Sequence, residues 1–124
     1  MKISASIYSN KHQPLADVVR ELDEHFIDFF HVDCNDDPNV FNDIEAIHRC
    51  SRTPVDLHII SPTPALYFGL LRKTPVSRVS FQLEQFDGFV EIPCDLPSQI
   101  GLALMNDTPV EAFAPYAERC SYVL

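Results

Sequence analysis

The sequence predicts an α/β fold whose parallel strands curl around a common axis, and three observations carry that expectation. Strand-like segments alternate with segments of helical period along the 124 residues, which implies parallel strands joined by right-handed crossovers. Strands of an open sheet covered on both sides read as apolar on both faces, yet the first four here each carry one apolar and one polar face. Those polar residues gather toward the C-terminal strand ends, where a curled sheet lines the mouth of a barrel. The expected class is therefore the (β/α)8 TIM-barrel type. Eight repeats need roughly 250 residues, so residues 1–124 are expected to hold β1 to about β6, as one partial barrel domain.

The first strand lies in Lys2–Ile7, with Ser4 and Ser6 on one face and Ile3, Ala5 and Ile7 on the other. Pro14 suits the first turn of a helix, where its missing N–H costs nothing. Leu15, Val18, Val19, Leu22 and Phe26 then form a buried helical stripe. The second strand covers Ile27–Asn35, and alternation puts His31, Asp33 and Asn35 on one face and Phe30, Val32 and Cys34 on the other. Asp36, Asp37 and Asn39 read as turn and cap residues before a shorter second helix built on Phe41, Ile44 and Ile47.

The third strand is Pro54–Ile60, with Asp56, His58 and Ile60 sharing a face. Ser61-Pro62-Thr63-Pro64 stops it and starts a third helix filled by Leu66, Phe68, Leu70 and Leu71. Val79–Glu84 is a fourth strand with Ser80, Gln82 and Glu84 on one face. The next crossover carries Pro93 and Pro97, too much interruption for an ordinary helix, and Phe89–Ile92 has the character of a short extra strand. Ile100–Leu104 is a further strand, Thr108 caps a helix over Pro109–Ala117, and Ser121–Leu124 opens a sixth strand.

Composition narrows the function classes. A hydrophobic fraction of 46% supports a real core, and a net charge of −9 argues against a nucleic-acid partner, which wants a basic face. No apolar run has the length of a membrane span, and the N-terminus lacks a secretory pattern. Cys34, Cys50, Cys94 and Cys120 form no C-x-x-C pair and read as reduced thiols of a cytoplasmic protein. With glycine only at Gly69, Gly88 and Gly101, the sequence contains no glycine-rich phosphate loop.

His31 and Asp33 alone are a common coincidence, better explained as a histidine satisfied by a neighbouring carboxylate. His58 changes that balance, because a parallel neighbour would bring it beside them on the same polar face. Two histidines and one carboxylate suit Zn²⁺, Fe²⁺ or Mn²⁺ and leave coordination positions open. Gln82 and Glu84 stand close enough to reach or support such a site. His12, His25 and His48 fall in loop or helix contexts, where exposure is the default. Cys34 alternates away from the site, and no serine has a nucleophile-elbow context.

Four segments, in order, resemble the ribulose-phosphate 3-epimerase family. They are Ile3-Ser4-Ala5-Ser6-Ile7, His31-Val32-Asp33, Asp56-Leu57-His58, and Ile100-Gly101-Leu102-Ala103-Leu104 followed by Thr108-Pro109. The similarity runs over essentially the whole chain. It implies an isomerase of carbohydrate metabolism, in the pentose phosphate pathway, that interconverts ribulose 5-phosphate and xylulose 5-phosphate. The chemistry implied is proton removal from the carbon beside a ketone and return on the opposite face, with a divalent metal stabilising the enediolate. The resemblance assigns His31, Asp33 and His58 to the metal, Asp33 to acid–base catalysis, and Ser6 and His58 to substrate contact.

The departures from the family pattern also belong to the expectation. Asn35 stands where the family has methionine, and Gln82 where it has histidine. The second catalytic aspartate and the phosphate loops belong to strands beyond the six read here, so this length of chain by itself is expected to be inactive. The exposed edges of an incomplete barrel imply homo-oligomerisation or other edge association. The alternative reading is a non-catalytic, barrel-derived binding or scaffold domain with a vestigial site, and no membrane partner is expected on either reading.

Overall fold

The computed structural model describes residues 1–124. Six strands form: β1 (Ser4–Ser6), β2 (Phe29–Asn35), β3 (Val55–Ile60), β4 (Arg78–Gln82), β5 (Gln99–Ala103) and β6 (Tyr122–Val123), with β2, β3 and β4 the richest in β-branched and aromatic residues. All five neighbouring pairs are parallel, and the strands lie side by side in sequence order. Sequential parallel order with no strand skipped is the connectivity of a barrel, whereas a doubly wound sheet reverses direction at a switch point. The architecture is thus α/β and of partial TIM-barrel type.

Side chains that meet across an intervening strand show that the sheet curls. Two strands away in a flat sheet means about 9.5 Å. Even so, the Ser4 hydroxyl of β1 donates to Asp56 of β3 at 3.0 Å, and the Arg78 guanidinium of β4 lies 4.1 Å from the centre of the Phe29 ring of β2. Both contacts lie on the face that carries His31, Asp56 and His58, so that face is concave.

The convex face packs under α1 (Leu15–Glu24), α2 (Val40–Cys50) and the short α3 (Phe68–Lys73), which continues a 3₁₀ turn over Pro64–Tyr67. Phe30, Val32, Leu57, Ile59, Val79, Phe81 and Leu102 point into this layer and meet Val19, Ile44, Ile47 and Leu71. Each large apolar side chain buried there contributes about 1.5–3 kcal/mol. Cys34 joins this core, as its position on the strand predicts.

The structure departs from the sequence expectation at several elements. The buried stripe of α1 ends at Leu22. Phe26 takes a left-handed backbone (φ 56°) just past the helix, donates its N–H to Asp23, and is 92% exposed. A stripe argument assumes the helix continues; the left-handed turn that ends it throws the next side chain outward. At 11 residues α2 is longer than α1, at 10, not shorter. Leu66 sits on the 3₁₀ turn and faces solvent, while Tyr67 takes the inward position.

The segment Phe89–Ile92 forms no strand, and the β4–β5 crossover has no α-helix; Ile92 and Leu96 instead tuck individually into the core. The last crossover is a 3₁₀ helix over Val110–Tyr116, because Pro115 cannot supply the N–H that an α-helical ladder needs. On the concave face the Tyr122 ring lies across Gly101, where any Cβ would collide with it. That close approach is the reason for glycine in β5.

Candidate metal centre

The register of β2 against β3 decides what lies beside what. Asp33 is paired with His58 and His31 with Asp56, and period-2 alternation turns all four side chains to the concave face. One donor atom from each of His31, Asp33 and His58 lies within 4.8 Å of the other two. His31 Nε2 is 3.0 Å and His58 Nδ1 is 3.3 Å from the same Asp33 oxygen, Oδ1. The three side chains are 23%, 38% and 17% exposed in residue order 31, 33 and 58, shielded but open to one side.

The far nitrogen of each imidazole is held by an outer acceptor, as a metal-binding histidine requires. His31 Nδ1 lies 3.2 Å from Asp56 Oδ2, which also accepts from the Ser4 hydroxyl at 3.0 Å and from Arg78 Nη2 at 3.2 Å. Burial works against ionisation of Asp56. The hydrogen bonds from His31, Arg78 and Ser4, with the Arg78 charge, outweigh it and hold the carboxyl at about 2. An ionised Asp56 can only accept, so His31 carries its proton on Nδ1. The bond to Asp56 is also the main cause that raises the His31 pKa; burial opposes the rise and Asp33 adds to it.

His58 Nε2 lies 2.9 Å from Gln82 Oε1. The Gln82 amide nitrogen donates to Glu84 Oε2 at 2.6 Å and to the Ala103 carbonyl at 3.3 Å, so its oxygen must face the histidine. His58 is thereby protonated on Nε2. Facing one another at the centre are His31 Nε2, His58 Nδ1 and Asp33 Oδ1, and without a cation each nitrogen has that carboxylate oxygen as its acceptor.

Such a set needs a positive charge among its members. A proton on His31 supplies one, and a divalent cation supplies it for all three atoms at once. The residues present fit an ion of the Zn²⁺, Fe²⁺ or Mn²⁺ type in donor chemistry, and both imidazoles have the outer acceptors that metal-binding histidines require. Asp33 also lines an open cleft of about 640 Å³, together with Tyr8, Lys11, Asn35, Asn42 and Asp43. A small polar molecule can reach the carboxylate from that side.

The remaining residues singled out in the sequence lie elsewhere. Ser6 pairs with His31 in register, but its hydroxyl accepts the Tyr8 N–H at 3.3 Å in a local turn and touches none of the three. His12, His25 and His48 are exposed. Asp36 accepts from the Ser61 and Tyr67 hydroxyls and ties the end of β2 to the loop after β3, while Asp37 caps its own turn through the Asn39 N–H. Glu84 lies past β4, in the 3₁₀ turn Leu83–Gln85, rather than on the strand.

Sequence reasoning gave Asp56, Ser4 and Arg78 no role at the site. Asp56 was legible, since it alternates with His58 on the polar face. Arg78 was not, because the β4 hydrophobic run begins at Val79 and leaves it outside the strand.

None of the curated proteins matches the chain significantly. The model of the Ribulose-phosphate 3 epimerase family does match, over residues 2–124. With six parallel strands in sequential order and a polar concave face under that full-length match, the chain belongs to the ribulose-phosphate 3-epimerase family.

Proposed function

We propose that the chain carries the metal-binding half of a sugar-phosphate epimerase site, acting on the carbon next to the ketone of a pentulose 5-phosphate. The observation that carries this reading is the convergence of His31 Nε2, His58 Nδ1 and Asp33 Oδ1, with an outer acceptor behind each imidazole. His31, Asp33 and His58 would hold a divalent ion, which when bound supplies Lewis-acid stabilisation of charge developing on the substrate oxygens. Family membership supports a sugar-phosphate substrate in general; the pentulose is the finer part of the proposal.

Within that reading Asp33 is the acid–base. Its Oδ1 is engaged by the two histidines, which leaves Oδ2 to take a proton from the carbon of a substrate seated in the adjoining cleft. The histidine contacts fix the carboxylate's orientation before substrate arrives, which lowers the cost of reaching the reactive geometry. His58 and Ser6 are the proposed substrate contacts, with Ser6 the register partner of His31 on β1. Inversion at the carbon needs a second acid–base group on the opposite substrate face; Asp33 supplies one half of such a pair.

The half-reaction can be tested by itself. The chain loaded with Mn²⁺ or Zn²⁺ is expected to exchange the C3 proton of ribulose 5-phosphate for deuterium in D₂O, followed by NMR. Asp33→Asn should reduce that exchange by about 10²-fold or more. In parallel, elemental analysis should find metal in the wild type and none in His31→Ala/His58→Ala. No exchange above a metal-only blank, together with equal metal content in both proteins, overturns the proposal and favours a non-catalytic domain.

For partners, the proposal includes self-association through the edge strands. β1 and β6 each pair on one side only, and Ile3 and Val123 beside or within them are exposed. A concentration-independent monomer in sedimentation experiments would rule it out. No helix is long and apolar enough to cross a membrane, and a cytoplasmic location is part of the proposal.

A further inference from the structure

We propose that Glu84 is a positioning residue that sets the tautomer of His58 through Gln82, and so makes the metal ligand depend on the loop after β5. Glu84 touches neither histidine. Its Oε1 accepts the Met105 N–H at 2.6 Å and the Thr108 hydroxyl, while its Oε2 accepts the Gln82 amide at 2.6 Å. The carboxyl is held at about 2; burial opposes that, and the hydrogen bonds from Thr108, Met105 and Gln82 prevail. It is therefore an ionised, acceptor-only group, and the Gln82 amide has one way to face it.

An amide reads its two neighbours as a pair. With its nitrogen turned to Glu84, Gln82 must turn its oxygen to His58, which then carries hydrogen on Nε2; in the neutral imidazole this leaves the lone pair on Nδ1, against the pull of Asp33 Oδ1 at 3.3 Å. A free glutamine would present either end. A ligand histidine in the other tautomer would aim an N–H at Asp33 and could not bind a cation through that nitrogen. The chain from the Met105–Thr108 loop to Nδ1 is four groups long, and each link admits one polarity.

Glu84→Gln breaks the polarity while keeping the shape. The Met105 N–H can only donate, so it keeps the new side chain's oxygen on its own side and leaves the new amide nitrogen facing Gln82. Two amide nitrogens then oppose one another, and Gln82 relieves this by turning over, at the expense of its longer bond to Ala103. Its nitrogen now faces His58, which must accept on Nε2 and carry hydrogen on Nδ1.

The tautomer is independent of the metal reading, while its use rests on that reading, so two measurements separate them. In metal-free protein labelled with ¹⁵N-histidine, long-range ¹H–¹⁵N correlation at about pH 8, above the ordinary histidine range, is expected to show His58 protonated on Nε2. Glu84→Gln should move it predominantly to Nδ1. Titration with Zn²⁺ alone should then show a loss of about 10- to 100-fold in affinity for Glu84→Gln. An unchanged His58 tautomer in folded Glu84→Gln overturns the proposal whatever the metal does. If the tautomer shifts but the wild type binds no Zn²⁺, the relay stands and the metal reading falls. If Glu84→Gln does not fold, Gln82→Met, which removes the acceptor of the His58 Nε2 hydrogen and leaves Asp33 Oδ1 as the acceptor at Nδ1, carries the same readout, and an unchanged tautomer there is equally fatal.

Discussion

The half of the sheet centred on β2 and β3 differs from the half formed by β5 and β6 in how its order is maintained. β2 and β3 stay in register from Phe30 with Val55 to Asn35 with Ile60, and two regular helices, α1 and α2, cover their convex side. β5 and β6 pair only at Gly101 and Leu102, and their crossovers are an irregular proline-containing segment and a 3₁₀ helix. The ligand set lies wholly in the first half, where His31, Asp33 and His58 all have hydrogen-bond partners. Residues that carry the proposed chemistry sit on the long, well-paired strands, where a donor atom can be held to a few tenths of an ångström. The looser half contributes through the loop after β5, where Met105 and Thr108 clamp Glu84, rather than through ligands.

The largest effect that would test this contrast is core deletion on each side. Leu57 is fully buried in β3, and Leu57→Ala should cost about 2–5 kcal/mol by chemical denaturation. Leu96→Ala, in the irregular crossover, should fall at or below the lower end of that range because a loop can close over the gap. Equal losses would show that the two halves unfold as one equally rigid unit.

Gly101 is the place where the looser half is packed tightly. Gly101→Ala drives a methyl group into the Tyr122 ring and should cost about 1–3 kcal/mol. Tyr122→Leu in the same protein should recover part of that loss. Absence of coupling in the double variant would mean that β6 moves aside freely.

Acid should act on both halves through Asp56 and Glu84, each held at about 2. The unfolded chain takes up protons at these carboxyls before the folded chain does. Their contribution to stability is therefore complete above about pH 4.5, the ordinary carboxyl range, and is lost as pH falls toward 2. His31 runs the other way: its folded pKa is raised, so its contribution is full below the ordinary histidine value and is lost as pH rises through the raised one. Asp56→Asn should flatten the acid limb of a melting-temperature profile; an unaltered limb would show that other groups set it.

Away from either half's polar face, little should change. Arg20 and Asp17 form a 2.6 Å pair on the outer surface of α1, with side chains 70% and 43% exposed. Arg20→Ala should alter stability by less than about 0.5 kcal/mol in denaturant titration. A larger loss would mean that α1 depends on surface charge rather than on Val18 and Val19 beneath it.

Strand identity and strand face were legible because alternation is a local property. His31, Asp33 and His58 could be placed on one polar face from period 2 alone, and Cys34 on the other. Helix ends were less legible. Phe26 fits the α1 stripe by spacing, but the chain leaves the helix at Glu24, and the choice of a left-handed turn depends on where β2 must begin. The last two crossovers misled for a different reason: proline marks an interruption without saying what replaces the helix, and Phe89–Ile92 has strand composition with no neighbour to pair with.

By itself the sequence determined the order of elements, the curled α/β class and three residues able to share an ion, since all of these follow from spacing along one chain. Tertiary structure decided which residues stand behind those three. Asp56 with Ser4 and Arg78 at one end, and Gln82 with Glu84 and the β5 loop at the other, come together from strands 20 or more residues apart, and no local period encodes that register. The physical reason is that a histidine's tautomer is a property of both of its neighbours at once. On β2 and β3 those neighbours are chosen by how strands align, not by what lies next to them in the chain.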